Sequence, residues 1–301
     1  MTDSVELRPE HMPRIAEFCN RNFDYHRGRF AEEPLRRTIF DDPDHKVEHG
    51  FLLLDGEEIV GVMVGVQRGD EAWLKLFAVD KGRRRSGIGS GILSEIEGRF
   101  RSSGVERLHT LNSSPYFVTP GLDVRYTEAF CLLQGHRYQL DRYVHNMEVD
   151  LISNDFDTSG SESGLANQGI FIKRMDHDDE PALRPWVHRN WGSSWATEAC
   201  IGLRNDPVTT HVAIKNANIV GFATYDVMVL AGSFGPTAVE ESVRGLGLGK
   251  VLLFRCLGDM KQRGDRTCEI IWVGPIAYYA HTVDARISST YMHSSKVLQS
   301  G

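Results

Sequence analysis

Apolar residues recur every four positions at Ile88, Ile92, Ile96 and Phe100, which puts one apolar stripe along a helix that starts directly after a glycine-rich turn. Residues 73–79 ahead of that turn read as a strand, and residues 234–239 read as another ahead of a second glycine-rich turn. The chain opens with a strand near Val5 and Leu7 and a helix through Ile15, Phe18 and Phe23. A hairpin is expected around Asp55-Gly56, leading into Ile59-Val60-Gly61, and a helix over 127–134 is followed by a turn from Gly135 to Tyr138. After a strand-rich stretch over 138–151, the pattern breaks between 153 and 168 into a polar, acidic run rich in Gly and Ser, which reads as a linker. Apolar residues resume at Ile170-Phe171-Ile172. The acidic run from Asp176 to Glu180 precedes Pro181, as expected of a helix N-terminus rather than a metal site.

The two glycine turns are copies of one another. The first carries Val79, Arg84, Arg85, Gly87, Ile88, Gly89 and Ser90; the second carries Val239, Arg244, Gly245, Gly247, Leu248, Gly249 and Lys250. Their separation is 160 positions (247 − 87), and the same offset joins Ile59-Val60-Gly61 to Ile219-Val220-Gly221, Gly104 to Gly264, and Pro115 to Pro275. A constant offset of this length indicates a duplicated domain, because solenoid repeats are far shorter. After the shared prolines the halves diverge. The first has a longer segment from Tyr116 to Tyr126, whereas the second passes almost directly to Tyr278-Tyr279.

A glycine turn at a helix N-terminus suits an anion. The first-turn N–H groups lack intrahelical partners, the helix dipole is positive there, and glycine lets a phosphate reach the backbone. A dinucleotide fingerprint would need a third glycine where Ile92 and Leu252 stand. A P-loop would need Ser or Thr after Gly249-Lys250, where Val251 stands, and glycine where Arg244 stands. The pattern that remains, Arg-x-x-Gly-x-Gly between strand and helix, resembles the acyl-CoA-binding motif of the GNAT superfamily of N-acetyltransferases. The resemblance covers most of both halves, and the run from Gly264 to Ala285 looks like bacterial tandem members of the family.

That resemblance implies an α/β fold with two tandem domains, each a mixed and mostly antiparallel sheet flanked by helices. The expected domains are 1–152 and 169–301. It implies acetyl-CoA as acyl donor, held by the fourteen turn residues named above, and direct transfer in a ternary complex to a primary amine of a small molecule. It also implies that splayed strands hold the pantetheine arm and that Tyr279 protonates the departing thiolate. Core packing is the other role open to that aromatic. The first half offers Phe130 and Cys131 at the matching place, with Tyr126 one turn earlier, so chemistry is expected in the second half and the first is expected to be a degenerate copy. The alternative from another class is a non-catalytic acyl-CoA-binding or sensing protein with two cradles.

Composition narrows the partners. With 34 Lys and Arg against 41 Asp and Glu, the formal charge of −7 argues against nucleic acid or anionic membrane as a partner. Arg83-Arg84-Arg85 is a local exception at the mouth of a cradle. Five cysteines without a CxxC pair suggest neither a disulfide framework nor a zinc site, and no HExxH or GxSxG occurs, so no metal is expected. No basic-then-apolar leader and no apolar run of about 18 residues is present, which leads to the expectation of a cytoplasmic, soluble protein. Glu240, Glu241 and Glu269 are the carboxylates near the second motif, none singled out as a base. Trp186, Trp191 and Trp195 recur at near-helical spacing, for packing or for lining an acceptor site. The acceptor and the oligomeric state are not legible.

Overall fold

The computed structural model describes residues 2–26 and 28–298. The chain forms two compact units. In chain order the elements are β1 (Asp3–Glu6), α1 (Met12–Asn22), α2 (Glu32–Phe40), β2 (Gly50–Asp55), β3 (Glu58–Arg68), β4 (Glu71–Val79), α3 (Ile88–Ser102), β5 (Arg107–Thr110), β6 (Leu122–Asp123), α4 (Thr127–Gly135) and β7 (Gln139–Asp150). The duplicated half follows with α5 (Ser159–Ala166), β8 (Ile170–Arg174), α6 (Glu180–Trp191), α7 (Ser193–Ile201), β9 (Thr210–Lys215), β10 (Asn218–Tyr225), β11 (Ser233–Val239), α8 (Leu248–Arg263), β12 (Thr267–Ile270), α9 (Ile276–Val283) and β13 (Arg286–Val297).

The first unit comprises Met1–Val144, Met228–Leu230 and Thr290–Gly301. Strands β1 to β4 run as an antiparallel meander, β4 pairs in parallel with β5, and the last part of β13 pairs antiparallel with β5 and β6. One apolar cluster lies between the sheet and α1 and α2, and takes in Val229 from the distant 228–230 segment. Another, around Ile92, Ile96 and Phe100, joins α3 to the sheet. The apolar stripe read from the sequence is this buried face.

The second unit comprises His145–Val227 and Ala231–Ser289. It repeats the plan: β8, β9, β10 and β11 are antiparallel, β11 is parallel to β12, and the last part of β7 closes the sheet against β12. Each unit's sheet is therefore completed by a strand end from outside its own half of the sequence. The two units divide at 144/145 and 289/290, with Met228–Leu230 grouped in the first. The expected linker at 153–168 carries helix α5, and Phe156 and Leu165 are buried in the second unit's core. Its polar composition belongs to the exposed positions around those two anchors.

The duplication is exact in register. Val79 pairs with Gly61 and Val239 with Gly221, and the turn that follows each strand is tied by Asp80 N–H to Val60 O at 3.0 Å or by Glu240 N–H to Val220 O at 2.9 Å. The repeated Ile-Val-Gly has a packing cause. A Cβ on Gly61 would lie 2.6 Å from Ile92 Cδ1, and one on Gly221 would lie 3.1 Å from Leu252 Cδ1, so glycine lets each motif helix press onto its strand. Pro181 starts α6 with Asp176 and Asp179 capping the turn before it, as the acidic run predicts. Among the described residues no helix is long and apolar enough to cross a membrane.

Candidate active site

In the second unit, β11 and β12 pair only through Ser233 with Glu269 and Phe234 with Ile270, and then part. The chain beyond β11 makes one tight turn and reaches α8 through Gly245 and Gly247, at φ 82° and 78°, the left-handed conformation that favours glycine. Gly247 caps α8 without a side chain, so the first-turn N–H groups stand open to an anion. Of the residues expected there, Leu248 is buried and Val239 packs against the core. Arg244 sits on the surface, 3.7 Å from Glu241, and Lys250 Nζ lies 4.9 Å above the Phe254 ring. The phenol oxygen of Tyr278 lies 3.5 Å from where a Cβ on Gly249 would stand. Tyr278 is therefore the hydroxyl beside Gly249, and nothing in the residue pattern chose it over its neighbour.

Tyr279 faces inward. It is 5% exposed and meets Phe234 edge to face at 6.4 Å, the packing role that the sequence leaves open. Burial pushes its phenol well up, and the neighbouring Tyr278 adds to this. Its hydroxyl makes no hydrogen bond among the described residues. The nearby carboxylates are all engaged or exposed. Glu240 Oε1 accepts from Trp186 Nε1 at 2.9 Å, Glu269 Oε1 accepts from Ser288 and Ser289 at 3.0 and 3.1 Å, and Glu241 is 90% exposed. Trp186, Trp191 and Trp195 do not form one helical stripe. Gly192, at φ 90°, separates α6 from α7, and the three indoles gather with Phe222 in the core.

The first cradle has the same backbone and different side chains. Strands β4 and β5 pair from Glu71 with Arg107 to Leu74 with Thr110 and then part, and Gly87 caps α3 at φ 89°. At the position of Gly245 stands Arg85, left-handed at φ 61°. Arg84 is turned onto the backbone, its Nη2 donating to Asn22 O at 2.8 Å and its Nε to Val79 O at 3.3 Å. The open side of Gly89 faces Leu132 Cδ2 at 3.2 Å, Val79 at 3.7 Å and Phe77 at 3.8 Å from a Cβ position, and Ile88 packs in the same cluster. Ser90 Oγ is bonded to His136 Nε2 at 2.7 Å. Tyr126 is committed elsewhere, its oxygen accepting the N–H groups of Asp24 and Tyr25 at 2.8 and 3.1 Å.

These two sites, each a pair of parted parallel strands leading through glycines to a helix, define the class. The Acetyltransferase (GNAT) family profile matches residues 15–116 and 172–280. The chain belongs to that family, whose members are acyltransferases. Among solved structures, a GCN5-related N-acetyltransferase from Sphaerobacter thermophilus superposes with a TM-score of 0.69 at 17% identity, covering 100% of this chain and 96% of that one. A tandem GNAT protein from the clavulanic acid biosynthesis pathway gives 0.69 at 14% identity, covering 99% of both chains. A fungal multi-domain β-N-acetylglucosaminidase with a GCN5-related glucosamine N-acetyltransferase region gives 0.76 at 15% identity; the match covers 98% of this chain and 38% of that chain. At these identities the likeness is one of fold. No curated protein matches this sequence.

Proposed function

We propose that the second unit transfers an acetyl group from acetyl-CoA to a primary amine of a small molecule, directly and within a ternary complex. The observation that carries this reading is the contrast at equivalent glycines: a phenol oxygen stands beside Gly249, whereas Leu132, Val79 and Phe77 fill the space beside Gly89. In this reading Gly245, Gly247 and Gly249 shape the backbone around the pyrophosphate, with Lys250 and Arg244 as flanking charge. The parting of β11 from β12 leaves the β12-facing side of β11 beyond Phe234 without a strand neighbour, while Thr237, Ala238 and Val239 keep their pairing with β10; backbone groups on that open side are available to hold the pantetheine arm and polarise a thioester carbonyl. The thioester supplies an activated acyl group and a thiolate leaving group. Tyr279, a phenol that is protonated at neutral pH and that burial pushes further up, offers its proton to the sulfur. The first unit, with Val79, Arg84, Arg85, Gly87, Ile88, Gly89 and Ser90, serves as the degenerate copy.

Release of CoA thiol over a panel of small primary amines, with calorimetric titration of acetyl-CoA, tests the proposal. Turnover on at least one amine is expected. Binding without turnover on any amine would favour a non-catalytic acyl-CoA-binding protein.

A further inference from the structure

Ser90, His136 and Glu97 form a chain of contacts in the first unit that acetyl transfer does not use. Ser90 stands exposed on the first turn of α3, its Oγ 2.7 Å from His136 Nε2. On the other side of the imidazole, Nδ1 faces Glu97 Oε1 at 3.6 Å. Glu97 is 5% exposed and its Oε1 has no hydrogen-bond partner, while its Oε2 takes the Lys296 ammonium at 2.5 Å. A buried carboxylate in that position favours the tautomer with its proton on Nδ1, which leaves Nε2 to accept from the serine hydroxyl. At 3.6 Å the two groups are within charge-interaction range and just beyond a hydrogen bond.

The order is that of nucleophile, base and orienting carboxylate. Ser90 is itself in the first turn of α3, whose N-cap Gly87 supplies no side-chain acceptor, so first-turn N–H groups without intrahelical partners are available as donors for a developing oxyanion. At the register-equivalent positions the second unit has Lys250 and Leu257, so it lacks both the hydroxyl and the carboxylate.

We propose that Ser90, His136 and Glu97 form a serine-dependent hydrolytic site for small carboxylic esters, independent of acetyl transfer. Ser90 Oγ bonds to the ester carbonyl carbon as its proton passes to His136 Nε2. The carbon–oxygen bond to the alcohol breaks, and the alcohol leaves with that proton. Water, activated by the same imidazole, then hydrolyses the acyl-serine, so the net change is ester plus water to acid plus alcohol.

The test uses the intact protein with a fluorophosphonate probe and with p-nitrophenyl acetate, in the absence of CoA and amines, so that failure of the acetyl-transfer reading cannot affect the result. The probe is expected to label Ser90, located by peptide mass, and Ser90→Ala to remove both the label and the esterase rate. His136→Gln should slow labelling by ~10² to 10⁴-fold at an unchanged melting temperature. No label on Ser90, or labelling of His136→Gln at the wild-type rate, overturns the proposal.

Discussion

Replacing Gly249 by aspartate puts a carboxylate at the second position of α8, and the structure separates its effect on folding from its effect on binding. A Cβ there meets only Tyr278 Oη, at 3.5 Å, an ordinary contact. An acid in the first helical turn is favoured by about 0.3–1 kcal/mol, and Asp is a better helix residue than Gly, so the melting temperature should hold or rise slightly. Binding should move the other way. Two like charges about 4 Å apart at an effective dielectric near 20 repel by about 4 kcal/mol, close to a thousandfold in affinity. Solvent and salt at this partly exposed site reduce that, to roughly 10- to 1,000-fold. Calorimetric titration with CoA reads stoichiometry as well as affinity: a lone site should weaken by that factor, or two sites should fall to one. Gly249→Ala, which adds the Cβ without charge, should remain near wild type. A folded aspartate variant whose isotherm superimposes on the wild type would remove this turn from the phosphate site.

Gly89→Asp in the first cradle, where Leu132 must give way from 3.2 Å, should leave substantial amine acetylation, whereas Gly249→Asp should abolish it; the reverse pattern in thiol-release assays would exchange the roles of the halves. Tyr279→Phe keeps the ring against Phe234 and should lower kcat by about 10²-fold, the low end for general acid catalysis, with little change in CoA affinity. If Tyr278→Phe instead carries the kcat loss, the hydroxyl beside Gly249 is the proton donor. Arg85→Gly relieves a left-handed arginine worth about 1–2 kcal/mol and gives back part of that as chain entropy, so the melting temperature should rise by about 2 °C; a fall of that size would mean the arginine makes compensating contacts. Asp259 is raised by burial but lowered overall by His211 and Arg174, each 2.6 Å away. A depressed aspartate stabilises above its ordinary pKa and loses that contribution as pH falls through the folded value, so thermal stability should drop below about pH 4, and less steeply in Asp259→Asn.

The cradles were legible in the sequence because both devices that build them are local. A left-handed cap asks for glycine, and a four-residue apolar recurrence marks the face that packs on the sheet. The choice between Tyr278 and Tyr279 was not legible, since which of two adjacent side chains faces Gly249 depends on the phase at which α9 starts after Pro275. Ser90 and His136 lie 46 positions apart, and their meeting depends on α3 and α4 packing together, which no spacing rule encodes. The helix within 153–168 was hidden for a similar reason. Phe156 and Leu165 are two apolar anchors in a polar run, too sparse to register as an element, and strand pairing between distant segments leaves no periodic trace.

Because Thr290–Gly301 belongs to the first unit, the order of synthesis and the order of completion differ. The ribosome finishes residue 144 well before it reaches 290, an interval of 146 residues, or about 7–30 s at ~5–20 residues per second. Throughout that time β5 lacks the pairing it later makes with Ser295, Lys296 and Val297, and presents an open edge with N–H and C=O groups unmet. The residues grouped in the second unit are all synthesised by 289. The half that is translated first is thus the half whose sheet is completed last.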